Sequence, residues 1–204
     1  GSRFIELNKN IFDINAPSLS QVDILKIDQM KSIVQDFNPD AIINFAAYTQ
    51  VEEAEKQKGD KGGICYLINA TGAKNVAEVC RQFNKYLIHI STEYVFDGTK
   101  AESPYTEEDQ PNPINWYGAT KYFAEQFVLQ SGSQALIMRI CMPFSSCYEL
   151  KKDVARFFLE QLQMGNEIRA IEDQKIIPTL VDDISNALKA FIEIPKVGIY
   201  QVAS

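Results

Sequence analysis

Two kinds of apolar pattern alternate along the chain. The first is a short continuous run: Ala41-Ile42-Ile43-Asn44-Phe45-Ala46, Tyr86-Leu87-Ile88-His89-Ile90 and Ala135-Leu136-Ile137-Met138-Arg139-Ile140. Runs of this length without polar alternation predict strands covered by helices on both faces. The second pattern has helical period. Met30, Ile33, Val34 and Phe37 share one face of a helix predicted over Asp28 to Phe37, with Asp28 as its N-cap. Ile64, Leu67, Ile68, Val76, Val79, Cys80 and Phe83 keep that period through a long helix from about Lys61 to Phe83. Trp116, Phe123 and Phe127 face the core from a helix over Trp116 to Ser131, which Gly132 ends. Further helices are expected from about Lys151 to Met164, capped by Gly165 and Asn166, and from Asp182 to Glu193. A short helical piece at Arg3 to Asn8, strands over Asn10 to Ile14, near Ile168 and at Gly198 to Val202, and the segments Val22-Asp23-Ile24 and Ile176 to Leu180 complete the reading. Strand and helix alternate from end to end, which predicts an α/β fold with a parallel, doubly wound sheet. No repeat, low-complexity tract or linker divides it.

Composition narrows the function classes. The 204 residues suffice for a sizeable core, and 46% hydrophobic with 23% charged residues is ordinary for a globular protein. A formal charge of −7 argues against a broad nucleic-acid footprint, which needs clustered Lys and Arg. No run reaches the roughly 18 apolar residues of a membrane span, and no signal-peptide pattern opens the chain. Cys65, Cys80, Cys141 and Cys147 form no CxxC pair and no zinc spacing, so reduced thiols, a cytoplasmic location and no metal site are expected. The single histidine, His89, lies inside a predicted strand. That disfavours a Ser-His-Asp hydrolase and reads as a satisfied core residue.

Chemistry concentrates between Tyr86 and Lys121. A buried strand ends at Ser91-Thr92, a proline-punctuated loop follows, and the next helix carries Tyr117 and Lys121 one turn apart. A free phenol has a pKa of about 10, and a lysine charge one turn away is expected to lower it toward a useful range. Tyr-x-x-x-Lys alone is weak, since on most helices it marks one buried ring and one solvated ammonium. The hydroxyl of Thr92 at the strand end changes that, because it can hold a carbonyl while Tyr117 protonates the developing alkoxide. Ligands in doubly wound sheets bind beyond the carboxyl ends of the strands, so Ala46-Ala47-Tyr48-Thr49 and Ser91-Thr92 should line one crevice.

Asn44-Phe45-Ala46-Ala47-Tyr48-Thr49, Asn69-Ala70-Thr71-Gly72-Ala73-Lys74-Asn75, His89 to Gly98, Pro104-Tyr105, Asn112-Pro113, Tyr117-Gly118-Ala119-Thr120-Lys121, Asp173-Gln174 and Pro178-Thr179 stand in one family's order. On these motifs the chain resembles the dTDP-4-dehydrorhamnose reductase family of the extended short-chain dehydrogenase/reductase superfamily. The resemblance implies hydride transfer from NADP(H) or NAD(H) to the 4-keto carbon of a nucleotide-activated deoxysugar. Carried over by position, Tyr117 is the general acid, Lys121 its pKa-lowering partner and ribose contact, and Thr92 the carbonyl-orienting hydroxyl. Asp13, Asp23, Ile24, Ala46, Ala47, Tyr48 and Asn69 would lie along the cofactor; Thr49 and Tyr94 would face the sugar.

The family's first strand and Gly-x-x-Gly-x-x-Gly loop are not among these residues, nor are its last helices, and Glu93 stands where the family usually has Asp. The expectation is a Rossmann-like unit incomplete at both ends. Residues 1–140 would form the NAD(P)-binding part and residues 141–204 a partial substrate-binding region interleaved with the sheet. Partners are expected to be a nucleotide-sugar and neither nucleic acid nor membrane, with a homodimer as the assembly to test. Two alternatives remain: a regulatory subunit resembling the β subunit of methionine adenosyltransferase, and a related nucleotide-sugar epimerase. A dehydratase is disfavoured, because its acidic pair would need a carboxylate where Tyr94 stands.

Overall fold

The computed structural model describes residues 1–100, 103–145, 153–168 and 176–203. In chain order the elements are α1 (Ser2–Asn8), α2 (Ile27–Phe37), β1 (Ala41–Asn44), α3 (Val51–Glu55) and α4 (Ile64–Tyr66). A π-helical segment (Leu67–Gly72), α5 (Ala73–Gln82), β2 (Tyr86–Thr92) and a 3-10 turn (Glu93–Val95) follow. Then come α6 (Trp116–Gln130), β3 (Ala135–Ile140), β4 (Pro143–Phe144), α7 (Val154–Gln163), β5 (Thr179–Leu180), α8 (Val181–Glu193) and β6 (Gly198–Val202).

The main sheet is parallel with strand order β1-β2-β3-β6, and its register aligns Asn44 with His89, Ser91 with Arg139 and Thr92 with Ile140. Because successive side chains point to opposite faces, each apolar run feeds two cores. Leu87 and Ile137 meet Met30 and Val34 of α2, Val76 to Cys80 of α5 and Val128 of α6 on one face. Ile88, Leu136 and Met138 meet Phe4 of α1 and Ile184 and Leu188 of α8 on the other. Each such fully buried side chain contributes about 1.5–3 kcal/mol over exposure. Helices therefore cover both faces, as the continuous runs predict, and the α/β, Rossmann-like class holds. A third cluster, with Ala54, Cys65, Tyr66, Ala70, Trp116 and Tyr117, lies under the helices that flank the site.

Several local expectations are corrected. Asn10 to Ile14 is not a strand. Its backbone turns back instead, with the Ile11 and Phe12 amides donating to the Asn8 carbonyl at 2.9 and 3.0 Å. Phe12 and Ile14 still pack against the core cluster of Phe4, Ile88 and Leu136, so their apolar character serves packing rather than a ladder. Asp28 is not the N-cap of α2; Lys26 holds that place and Asp28 sits in the first turn. Strand β1 ends at Asn44, two residues short of Ala46, and the long helix starts at Ile64 and widens into the π segment. Helix α3 has no counterpart in the sequence reading, and Ile168 is not in a strand. Gly165, at φ 73°, follows α7 as expected for a left-handed helix end. The proposed helix start at Lys151, Cys147, and the Asp173-Gln174 motif lie outside the described residues. Among the described residues, no helix is long and apolar enough to cross a membrane and no cluster of metal-ligating side chains occurs.

Candidate active site

The crevice beyond β1 and β2 is built by backbone geometry first. Thr92 closes β2, and α6 opens with two of its amides held by side-chain oxygens, one of an amide and one of a carboxylate. Asn115 Oδ1 accepts from the Gly118 amide at 2.8 Å and Glu55 Oε2 from the Trp116 amide at 2.7 Å. Gly118 lets the first turn of α6 lie directly on the Tyr94 carbonyl; a Cβ there would collide with that oxygen. The Tyr94 and Tyr117 rings then meet edge to face, 5.5 Å apart.

This brings Thr92, Glu93, Tyr94 and Tyr117 together. The Thr92 hydroxyl donates to Glu93 Oε2 at 2.7 Å. Burial first, and the Glu93 charge second, push the Tyr117 phenol well above its ordinary value. This corrects the expectation that Lys121 lowers it. Lys121 is only 3% exposed and its amine turns along β2, donating to the Ile90 carbonyl at 2.6 Å with His89 Nε2 at 3.4 Å. Burial pulls Lys121 itself down to about 8, against the opposing pull of Glu125. Cys141 also faces Glu93, and burial with that charge pushes its thiol up to about 11.

The second wall is the Ala46-Ala47-Tyr48-Thr49 turn. Its shape is held from within by Asn69, which is 1% exposed. Asn69 Oδ1 accepts from the Tyr48 amide at 2.7 Å, and Nδ2 donates to the Tyr48 carbonyl at 3.1 Å and to Thr120 Oγ1 at 2.9 Å. Asn69 thus acts on the crevice through the Tyr48 turn. Ile24 packs on Gly72 so closely that a Cβ would clash, and its carbonyl accepts from Asn75 Nδ2 at 3.0 Å. Neighbouring Asp23 caps its own turn by accepting from the Leu25 amide at 2.9 Å. Asp13 is not brought into this group. It is exposed, on an open cleft lined by Ile5 and Lys9 to Ile14, with neither Thr92 nor Tyr117 in the lining.

Sequence reasoning missed the charges behind the site. Glu125 and Arg139 are 0% and 2% exposed and form a two-pronged pair, Nε to Oε1 at 2.9 Å and Nη2 to Oε2 at 2.6 Å. Ser91 Oγ adds a donor to Glu125 at 2.6 Å, and the guanidinium lies 5.0 Å over the Phe96 ring. The signals were present: Glu125 is one turn beyond Lys121, and a charge inside an apolar strand demands a partner. Asn44 and Glu55 give no such signal, because their partners, His89 and the Trp116 amide, lie far away along the chain.

The RmlD substrate binding domain model matches residues 4–203. Methionine adenosyltransferase 2 subunit beta of Rattus norvegicus is 30% identical over 178 residues, 87% of this chain and 52% of that protein. The dTDP-4-dehydrorhamnose reductase of Mycolicibacterium smegmatis is 34% identical over 177 residues, 85% of this chain and 51% of that protein. The chain thus spans about half the length of these curated relatives. Among solved structures, a dTDP-4-dehydrorhamnose reductase from Bacillus anthracis in complex with NADP superposes with a TM-score of 0.91 at 34% identity, covering 100% of this chain and 70% of that one. The fold agrees with these matches, and the chain belongs to the RmlD substrate binding domain family.

Proposed function

We propose that this chain carries the catalytic half of an NAD(P)H-dependent reductase acting on the 4-keto group of a nucleotide-activated deoxysugar. The observation that carries the reading is the convergence of Thr92, at the end of β2, and the Tyr117 phenol of α6, with the buried Lys121 one turn further along that helix. In this reading the nicotinamide end of a cofactor lies between Ala46-Ala47 and that pair, with Lys121 and Tyr117 toward its ribose. When bound, NAD(P)H supplies the hydride. Thr92 holds the substrate carbonyl by its hydroxyl, and Tyr117 gives its proton to the oxygen as negative charge develops there. Raised above its usual value, the Tyr117 phenol stays protonated at neutral pH, which suits a proton donor. Tyr94 and Thr49 face the sugar in this reading, and Ile24, Asp23 and the Tyr48 turn lie toward the rest of the cofactor.

The test is NADPH oxidation with dTDP-4-keto-6-deoxy-L-mannose by the protein at its full length, beside the Tyr117→Phe variant. Turnover lost in the variant with cofactor binding retained supports the reading. A second reading, a cofactor-binding regulatory subunit, draws on the similarity to methionine adenosyltransferase 2 subunit beta. Cofactor binding without turnover in both proteins would favour it.

A further inference from the structure

A row of buried polar groups reaches Lys121 of α6 from the sheet: Asn44 on β1 and His89 on β2, neither used by the proposed reaction, the three exposed by 5%, 1% and 3% in the order Asn44, His89, Lys121. Asn44 and His89 are register partners across the two strands. The imidazole Nδ1 is 3.2 Å from Asn44 Nδ2, and Nε2 is 3.4 Å from the Lys121 amine.

A neutral imidazole has one N–H and one lone pair. Burial, and then the facing Lys121 charge, hold His89 neutral. Asn44 Oδ1 accepts from the Ala46 amide at 3.1 Å, so its Nδ2 faces the ring as a donor. Nδ1 must then offer the lone pair, and the ring proton sits on Nε2, aimed at Lys121. An ammonium has no lone pair to receive it, whereas a neutral amine does. Charging Lys121 therefore asks the ring proton to move to Nδ1 and the Asn44 amide to turn over. The turned amide would set an N–H against that of Ala46.

We propose that Asn44 and His89 are positioning residues that tie the charge of Lys121 to the imidazole tautomer, favouring the neutral amine while Asn44 caps the Ala46 turn. The inference rests on the reductase reading only for its catalytic consequence. Other groups also face this amine. Glu125 does so from α6, and the Ile90 carbonyl from β2. Arg139 of β3 acts through its fork on Glu125. Glu125 favours the ammonium and burial opposes it.

His89 is the only histidine in the chain, so its ring nitrogens can be read by 15N NMR without assignment. The expected spectrum shows an Nε2-protonated ring where Lys121 is neutral, crossing to the Nδ1-protonated form as falling pH charges Lys121. In Asn44→Asp both carboxylate oxygens accept, so the Ala46 amide and an Nδ1–H are satisfied together. That variant is expected to lock the Nδ1–H tautomer and raise the Lys121 titration by about one unit or more. A wild-type ring that keeps one tautomer throughout the Lys121 titration overturns the proposal, as does an Asn44→Asp spectrum identical to wild type. Should the variant fail to fold, the wild-type titration decides alone. None of these readouts needs turnover, so failure of the reductase reading would remain separate.

Discussion

The Thr92 hydroxyl donates to the Glu93 carboxylate across 2.7 Å, so the group proposed to hold a carbonyl is itself held by a negative charge. The same carboxylate raises the phenols of Tyr94 and Tyr117 and the thiol of Cys141. Glu93→Gln keeps the shape and removes the charge. The Tyr117 phenol should then fall toward its ordinary value of about 10. Since a proton donor works only below its pKa, the alkaline limb of the kcat profile should move to lower pH. An unmoved alkaline limb would show that Glu93 does not govern Tyr117.

Lys121 titrates lower in the folded chain, at about 8 against an ordinary 10.5. Between those two values the unfolded state binds more protons, so this group makes stability rise with pH across that window. Below it, burying the charge opposes folding by about 3 kcal/mol at most. The buried phenols and thiols titrate in the opposite sense, so the informative quantity is the difference from Lys121→Met. Urea melts at both ends of the window should show wild type gaining on the variant as pH rises. Parallel pH dependence of the two proteins would contradict the buried position of the amine.

Breaking the Glu125–Arg139 pair should cost far more than a surface ion pair does. Glu125→Gln or Arg139→Met leaves a buried charge without its partner, an effect of roughly 3–5 kcal/mol. Replacing both with apolar residues of similar volume should recover much of it. Thermal or urea denaturation of the singles and the double measures the coupling. Additive losses in the double variant would mean that the pair is not a unit.

Gly118→Ala places a methyl group against the Tyr94 carbonyl. Because the obstacle is backbone, the first turn of α6 must shift, at about 1–3 kcal/mol. Tyr117 moves with that turn, so turnover should fall more than stability does. A fully active alanine variant would show that the close approach has no bearing on the acid.

How much of this was legible beforehand depends on how local each cause is. The buried strands could be read because burial on both faces leaves only apolar side chains, as at Leu87 and Ile88. Asn10 to Ile14 has a similar local look, yet pairing depends on a neighbouring strand, and the segment alone does not reveal one. Tyr117 and Lys121 were legible from spacing within one helix. The direction of the Lys121 amine was not, because Ile90 and His89 reach it from another element. Asn69 was marked only by the resemblance; its inward turn on the π segment toward Tyr48 and Thr120 depends on partners far along the chain.

That last residue has a consequence for binding. Through one amide, Asn69 fastens the Tyr48 turn to the helix that carries Tyr117 and Lys121. The two walls of the crevice are thereby joined before any ligand arrives. The entropy of arranging the Tyr48 backbone is lost once, at folding, rather than at each encounter. Asn69→Ala would detach the walls and should weaken ligand affinity while leaving every atom that touches the ligand in place.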